Sequence, residues 1–171
     1  MTPKPRPEVW LRGPVPGIAP LLQPVAHGLL QCREEVTATL GRLTPAQIGA
    51  RPSGAASVAF HVRHAAGSLD RLLTYARGEQ LSRIQLGALS GEATEEMMAG
   101  DGPALVALFE AAIERALAQL GSTSEATLLD ARGVGRAQLP STVGGLLFHA
   151  AEHTQRHVGQ MVTTARIVLG V

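Results

Sequence analysis

The stretch Leu146-Leu147-Phe148-His149-Ala150-Ala151-Glu152-His153-Thr154-Gln155-Arg156-His157-Val158-Gly159-Gln160-Met161 decides how this chain folds. On a helical wheel of about 100° per residue, Leu146, Ala150, His153, His157, Met161, Thr164 and Val168 share one stripe, while Arg156 and Arg166 fall elsewhere. That is the pattern of an amphipathic helix whose apolar face turns to a core. His149, His153 and His157 are spaced four apart and line one face of it, with His153 and His157 inside the apolar stripe.

Working back from this helix, the pattern repeats. One helix is predicted from about Pro24 to Leu43, with Val25, Leu29, Val36, Leu40 and Leu43 at helical spacing and Thr44-Pro45 as its stop. A second is predicted from about Ala55 to Arg77, carrying Val58, Val62, Ala65, Leu69, Leu72 and Ala76 on its apolar face, with Gly78 as C-cap. A third opens at Asp101 as N-cap with Pro103 in the first turn and ends at Gly121. The last starts near Ser141-Thr142 and runs close to the C-terminus. Residues 79–100 read as a long connection with a short helical turn at Glu95–Ala99. Residues 122–140 read as irregular, with a small extended pair. The fold class is all-α: a four-helix bundle with long second and third connections. Seven of the eleven prolines lie between Pro3 and Pro24. They make residues 1–21 a Pro-rich arm that cannot be a regular helix, and residues 22–171 the bundle. Trp10, Leu11, Ile18, Leu21 and Leu22 are too apolar for a free tail, so the arm is expected to pack on the domain, pinned by Trp10.

Composition bounds the function. The chain has 171 residues, 45% apolar and 17% charged, enough for one domain with a real core. With aromatics at only 3%, Leu, Val and Ala must fill that core. A formal net charge of +1, with no block of like charges, argues against a nucleic-acid partner. No apolar run is long enough to span a bilayer, and the prolines and Arg12 interrupt any signal-peptide pattern. The single cysteine, Cys32, excludes an internal disulfide framework and fits a reducing, cytoplasmic setting. Cys32 reads as a small buried hydrophobe and His27 as a solvated or partly buried helix residue. Glu34 and Glu35 read as a solvated face, and Asp70-Arg71 and Glu110/Glu114 as surface contacts.

Five of the six histidines fall in two clusters, His61 and His64 on the second predicted helix and His149, His153 and His157 on the fourth. Neutral imidazole is the commonest protein ligand for Zn²⁺ and also suits Ni²⁺, Cu²⁺ and Fe²⁺. His149 and His157 lie eight residues apart, about 12 Å along a helix, and cannot share an ion whose bond to nitrogen is about 2 Å. The pair is therefore His149 with His153, or His153 with His157. The third ligand should come from the second helix, where pattern alone does not choose between His61 and His64. The His-x-x-Glu-His match at 149–153 belongs to inverted zinc peptidases, but no Asp or Glu follows His153 to supply their downstream ligand.

Ser57-Val-Ala-Phe-His61-Val-Arg-His64-Ala-Ala, followed by His149-Ala-Ala-Glu-His153-Thr-Gln-Arg-His157-Val-Gly159-Gln160, resembles the DinB/YfiT-like superfamily of metal-binding four-helix bundles. The likeness covers about residues 22–168. It implies metal ligands at His64, His153 and His157, with water or substrate completing the sphere. His61, His149 and Gln160 then become candidates for supporting the ligands or lining the pocket, and Gly159 would permit close helix approach. Relatives often pair as homodimers, for which the apolar arm offers a surface. Some are similar to bacterial thiol S-transferases that use low-molecular-weight thiols, others to thiol-dependent isomerases.

An open three-histidine site can lower the pKa of bound water to about 7, or bind and deprotonate a thiol. The expected cofactor is one divalent transition metal, Zn or Ni. The expected partner is a small-molecule substrate, with a low-molecular-weight thiol among the candidates. No Glu or Asp base stands within the signature His153-x-x-x-His157-x-Gly159-Gln160, which sets thiol transfer ahead of hydrolysis. No catalytic residue beyond the ligands is assigned. The competing classes are a non-catalytic metal-binding or stress-related interaction module, and a bundle that holds its histidines without metal.

Overall fold

Ser57, Asp101 and Thr142 each accept a backbone N–H from the residue three ahead, Phe60, Ala104 and Gly145. These caps satisfy donors that a helix start leaves without partners, and they open three of the four long helices. The structure, a computed structural model, describes residues 6–92, 94 and 100–171. Its helices are α1 (Gln23–Leu40), α2 (Pro45–Gly49), α3 (Val58–Ala76), α4 (Arg83–Gly91), α5 (Gly102–Ser122) and α6 (Val143–Leu169). A hairpin of β1 (Ala131–Val134) and β2 (Leu139–Thr142) joins α5 to α6. Thr142 both ends β2 and caps α6.

The long helices α1, α3, α5 and α6 form the four-helix bundle. α1 and α3 each pack against both α5 and α6. The order around the bundle is therefore α1, α6, α3, α5. Phe109, Leu29, Leu69, Leu105, Ile113, Leu147 and Met161 are among the fully buried side chains of one continuous core. Ala59, Ala65 and Ala66 of α3 and Ala150 and Ala151 of α6 are buried in the same core. No helix among the described residues is long and apolar enough to cross a membrane.

Several boundaries differ from expectation. α1 ends at Leu40 rather than Leu43, and Thr44-Pro45 starts α2 instead of merely stopping α1. Thr44 and Gln47 exchange backbone and side-chain bonds in a capping box, and Pro45 sits where its missing N–H costs nothing. α3 begins at Val58, three residues after the predicted start, because Ser57 is its cap. α4 was not expected. Its signal is the same box, Ser82 with Gln85, which lies in a stretch without an apolar stripe. The turn expected at Glu95–Ala99 lies outside the described residues. The small extended pair is the β1–β2 hairpin.

Residues 6–21 lie against α1. Val9, only 6% exposed, donates its N–H to Gln31 Oε1 at 3.1 Å. Arg12 grips both oxygens of Glu34. Two readings are corrected here. Trp10 is 61% exposed, and its indole N–H donates to neighbouring Glu8, so Val9 is the apolar pin. Glu34 is not a free solvated carboxylate: the Arg12 guanidinium holds it below the usual carboxylate range. Glu35 accepts from Gln31. Cys32 is buried as expected, and burial pushes its thiol up to about 12, too high for a nucleophile.

Thr142→Ala should lower stability by about 1 kcal/mol, the usual cost of a lost N-cap, read as a shift in the urea midpoint. Metal uptake should be unchanged, because the cap lies at the start of α6 and the histidines lie turns further on.

Candidate metal centre

α3 contributes His61 and His64, and α6 contributes His149, His153 and His157. The two helices bring together His64, His153 and His157, whose ligand-capable nitrogens all lie within 4.8 Å of one another. His64 Nε2 and His153 Nε2 are 3.1 Å apart. Two nitrogens on one tetrahedral zinc, each about 2.0–2.1 Å from it, stand about 3.3 Å apart. The contact therefore already has the spacing of a coordinated pair. The rings of His64 and His157 are centred 4.3 Å apart, and those of His153 and His157 4.6 Å. The three side chains could hold a metal ion, and among the described residues no fourth ligand joins them.

Hydrogen bonds set the tautomers. His64 Nδ1 is 2.8 Å from Glu92 Oε2, and Glu92 Oε1 is 2.6 Å from Arg71. A carboxylate bound to a guanidinium only accepts, so the neutral His64 ring carries its proton on Nδ1 and turns a lone pair on Nε2 toward the cluster. His153 Nε2–H donates to that lone pair when no cation is present. A bound cation takes the place of this proton. His61 is buried at 7% exposure, and its Nδ1 meets His157 Nδ1 at 3.2 Å. When His157 donates in that contact, its own Nε2 is left as a lone pair.

Burial holds the His157 ring well below the usual histidine range, at about 4, with further pressure from His64, His153 and His61. Burial followed by the nearby His64 also lowers His153, and the same two causes lower His61. Rings kept neutral near pH 7 are the form a metal binds.

The remaining candidates separate. His61 supports His157 from within the core. His149 is half exposed on the cleft wall, its ring 5.5 Å from that of His153 and its Nδ1 3.2 Å from Glu152. Glu152 also binds Arg156 on the outside of α6, which takes it away from the cluster and removes any likeness to a peptidase base. Gln160 is exposed and has no described bond to a histidine. Gly159 is also exposed, and a Cβ there would meet nothing within 4 Å. It does not serve close helix approach.

Glu92, Arg71 and Gly67 escaped the sequence reading. Arg71, expected at the surface, is buried at 8% exposure. A Cβ on Gly67 would come 3.0 Å from the Arg71 guanidinium and 3.4 Å from Glu92 Oε1, so the glycine leaves room for that pair. Arg71 falls seven residues after His64, two helical turns along the same face, which was the one available signal. Glu92 had none, since it lies 28 residues from its partner.

His64 and His153 line a cleft of about 250 Å³ walled by Leu72, Tyr75, Leu81 and Leu89, with Arg71 and His149 at its polar side. Two larger cavities of about 420 Å³ each lie elsewhere, along α1–α6 and under the arm, and neither touches the three clustered histidines.

Residues 29–161 match the profile of the DinB superfamily. The crystal structure of a conserved protein from Enterococcus faecalis is similar with a TM-score of 0.71 at 20% identity, over 88% of this chain and 98% of that one. At this identity the likeness is one of fold. No curated protein matches the chain.

The lowered histidines give the metal-free protein a pH-dependent stability. The unfolded chain takes up protons near the ordinary histidine pKa of about 6.5, whereas folded His157 resists until about 4. The unfolded state thus binds more protons between these values, and stability is lost as pH falls through that window. Urea midpoints of metal-free protein should drop from pH 7 to pH 4, and His157→Gln should flatten part of the slope.

Proposed function

The chain belongs to the DinB superfamily, and from that membership and its imidazole geometry we propose that it is a metal-dependent enzyme that joins a small thiol to an electrophile. The observation that carries the proposal is the convergence of His64, His153 and His157, two of which, His64 and His153, line an open cleft. Three histidines with an open position are the ligand pattern of catalytic rather than structural zinc sites. Zn or Ni suits the all-nitrogen donor set.

A divalent metal held there supplies the positive charge that favours a thiol's ionised form at neutral pH. The protein side chains then divide the remaining work. The three imidazoles hold the metal. The apolar wall of Leu72, Tyr75, Leu81 and Leu89 shields an electrophile from water. His149, half exposed beside His153, is placed to accept the thiol proton and pass it to solvent. Thiol transfer is favoured over hydrolysis because Glu92, the carboxylate that among the described residues bonds to a clustered histidine, has both oxygens engaged, by His64 and by Arg71. It is not free to activate water. A buried, lone Cys32 fits a reducing, cytoplasmic setting for such chemistry.

Protein purified without a histidine tag should carry close to one Zn or Ni per chain by elemental analysis, and His153→Ala should lose it. With a panel of low-molecular-weight thiols and an electrophilic alkylating substrate, metal-loaded protein should consume both in equal amounts. Chelation should stop turnover and added metal restore it. Turnover of esters or amides without thiol would instead make the protein a hydrolase, and metal without either activity would make it a binding module.

A further inference from the structure

We infer that Glu92 is a positioning residue that fixes which His64 nitrogen faces the metal, and that α4 serves to deliver it. This inference rests on the proposed metal site. The helix α4 buries none of its side chains, so apolar packing does not explain its place. Polar clips hold it at its two ends. At the first turn, Gln85 Nε2 donates to Asp70 Oδ2 at 2.7 Å and to Thr74 Oγ1 at 2.8 Å. At the other end, Glu92 is the C-cap residue of α4 and reaches both His64 and Arg71. The Glu92 side chain is only 12% exposed, and Arg71 only 10%. Gly67 leaves the space that the pair occupies.

The arrangement distinguishes between two changes that remove the same charge. In Glu92→Gln, the donor-only Arg71 claims the amide oxygen. The amide NH₂ is then the group facing His64 Nδ1. That nitrogen must become the acceptor, and the proton moves to Nε2, where it points into the cluster and blocks a ligand lone pair. In Glu92→Ala, His64 keeps either tautomer. The near-isosteric glutamine should therefore harm metal binding at least as much as alanine does. Loss of a group that orients a ligating histidine typically costs 10–100-fold in metal affinity. Glu92→Asp keeps an acceptor and should keep the native tautomer.

The test combines zinc affinity, by competition with a chromogenic chelator, with long-range ¹H–¹⁵N spectra of the His64 ring in metal-free protein. Wild type and Glu92→Asp should show the proton on Nδ1. Glu92→Gln should show it on Nε2, with zinc affinity reduced about 10–100-fold and no smaller a loss than in Glu92→Ala. A wild-type His64 protonated on Nε2, or a Glu92→Gln protein that keeps the native tautomer or the native zinc affinity, would overturn the inference. If the wild type binds no zinc, the proposed function falls, while the tautomers of the metal-free proteins still decide the role of Glu92.

Discussion

Imidazoles placed in an apolar helix interface must be satisfied by one another, by a carboxylate or by a cation, because a buried polar group without a partner is costly. The facing Nε2 atoms of His64 and His153, 3.1 Å apart across α3 and α6, meet that demand for these two rings. The surrounding features serve this contact. Glu92 determines the proton position on one ring, and His61 bonds to His157 from the core side. The site is thus built from pairwise contacts that hold without metal and bring together the nitrogens that could hold a cation.

The polar ring of contacts is layered by depth. His61 and Arg71 are buried, His64 and Glu92 nearly so, and His149 is open to solvent. Charge follows the same gradient. Burial pushes His61, His153 and His157 toward the neutral form, while Arg71 and Glu92 stay paired beside the cluster. A metal at the cluster would therefore meet neutral donors first and one carboxylate behind a ligand. In the proposed reaction, the described residues would leave such a metal's positive charge largely uncompensated and available to an anionic sulfur.

Much of this was legible in the sequence where periodicity carries the information. The apolar stripes of α1, α3, α5 and α6 are long and regular, and they announce the bundle. The spacing of four between His153 and His157 announces a shared face. Choosing His64 over His61 required family resemblance, because both lie near the inner face of α3, and the structure brings His64 into the cluster while His61 backs His157. What could not be read depends on contacts between distant positions. Glu92 meets His64 across a connection whose helix has no apolar stripe to mark it. Glu34 looks solvated until Arg12 of the arm is laid over it. Trp10 seemed the natural anchor for the arm by size, but Val9 fits the space.

X-ray absorption of the zinc-loaded protein, with and without a low-molecular-weight thiol, tests the central claim most directly. The account predicts three imidazole nitrogens at about 2.0–2.1 Å plus an exchangeable light atom, which thiol replaces with one sulfur at about 2.3 Å. A shell of four protein ligands that thiol leaves unchanged, or one with fewer than three imidazoles, would contradict it.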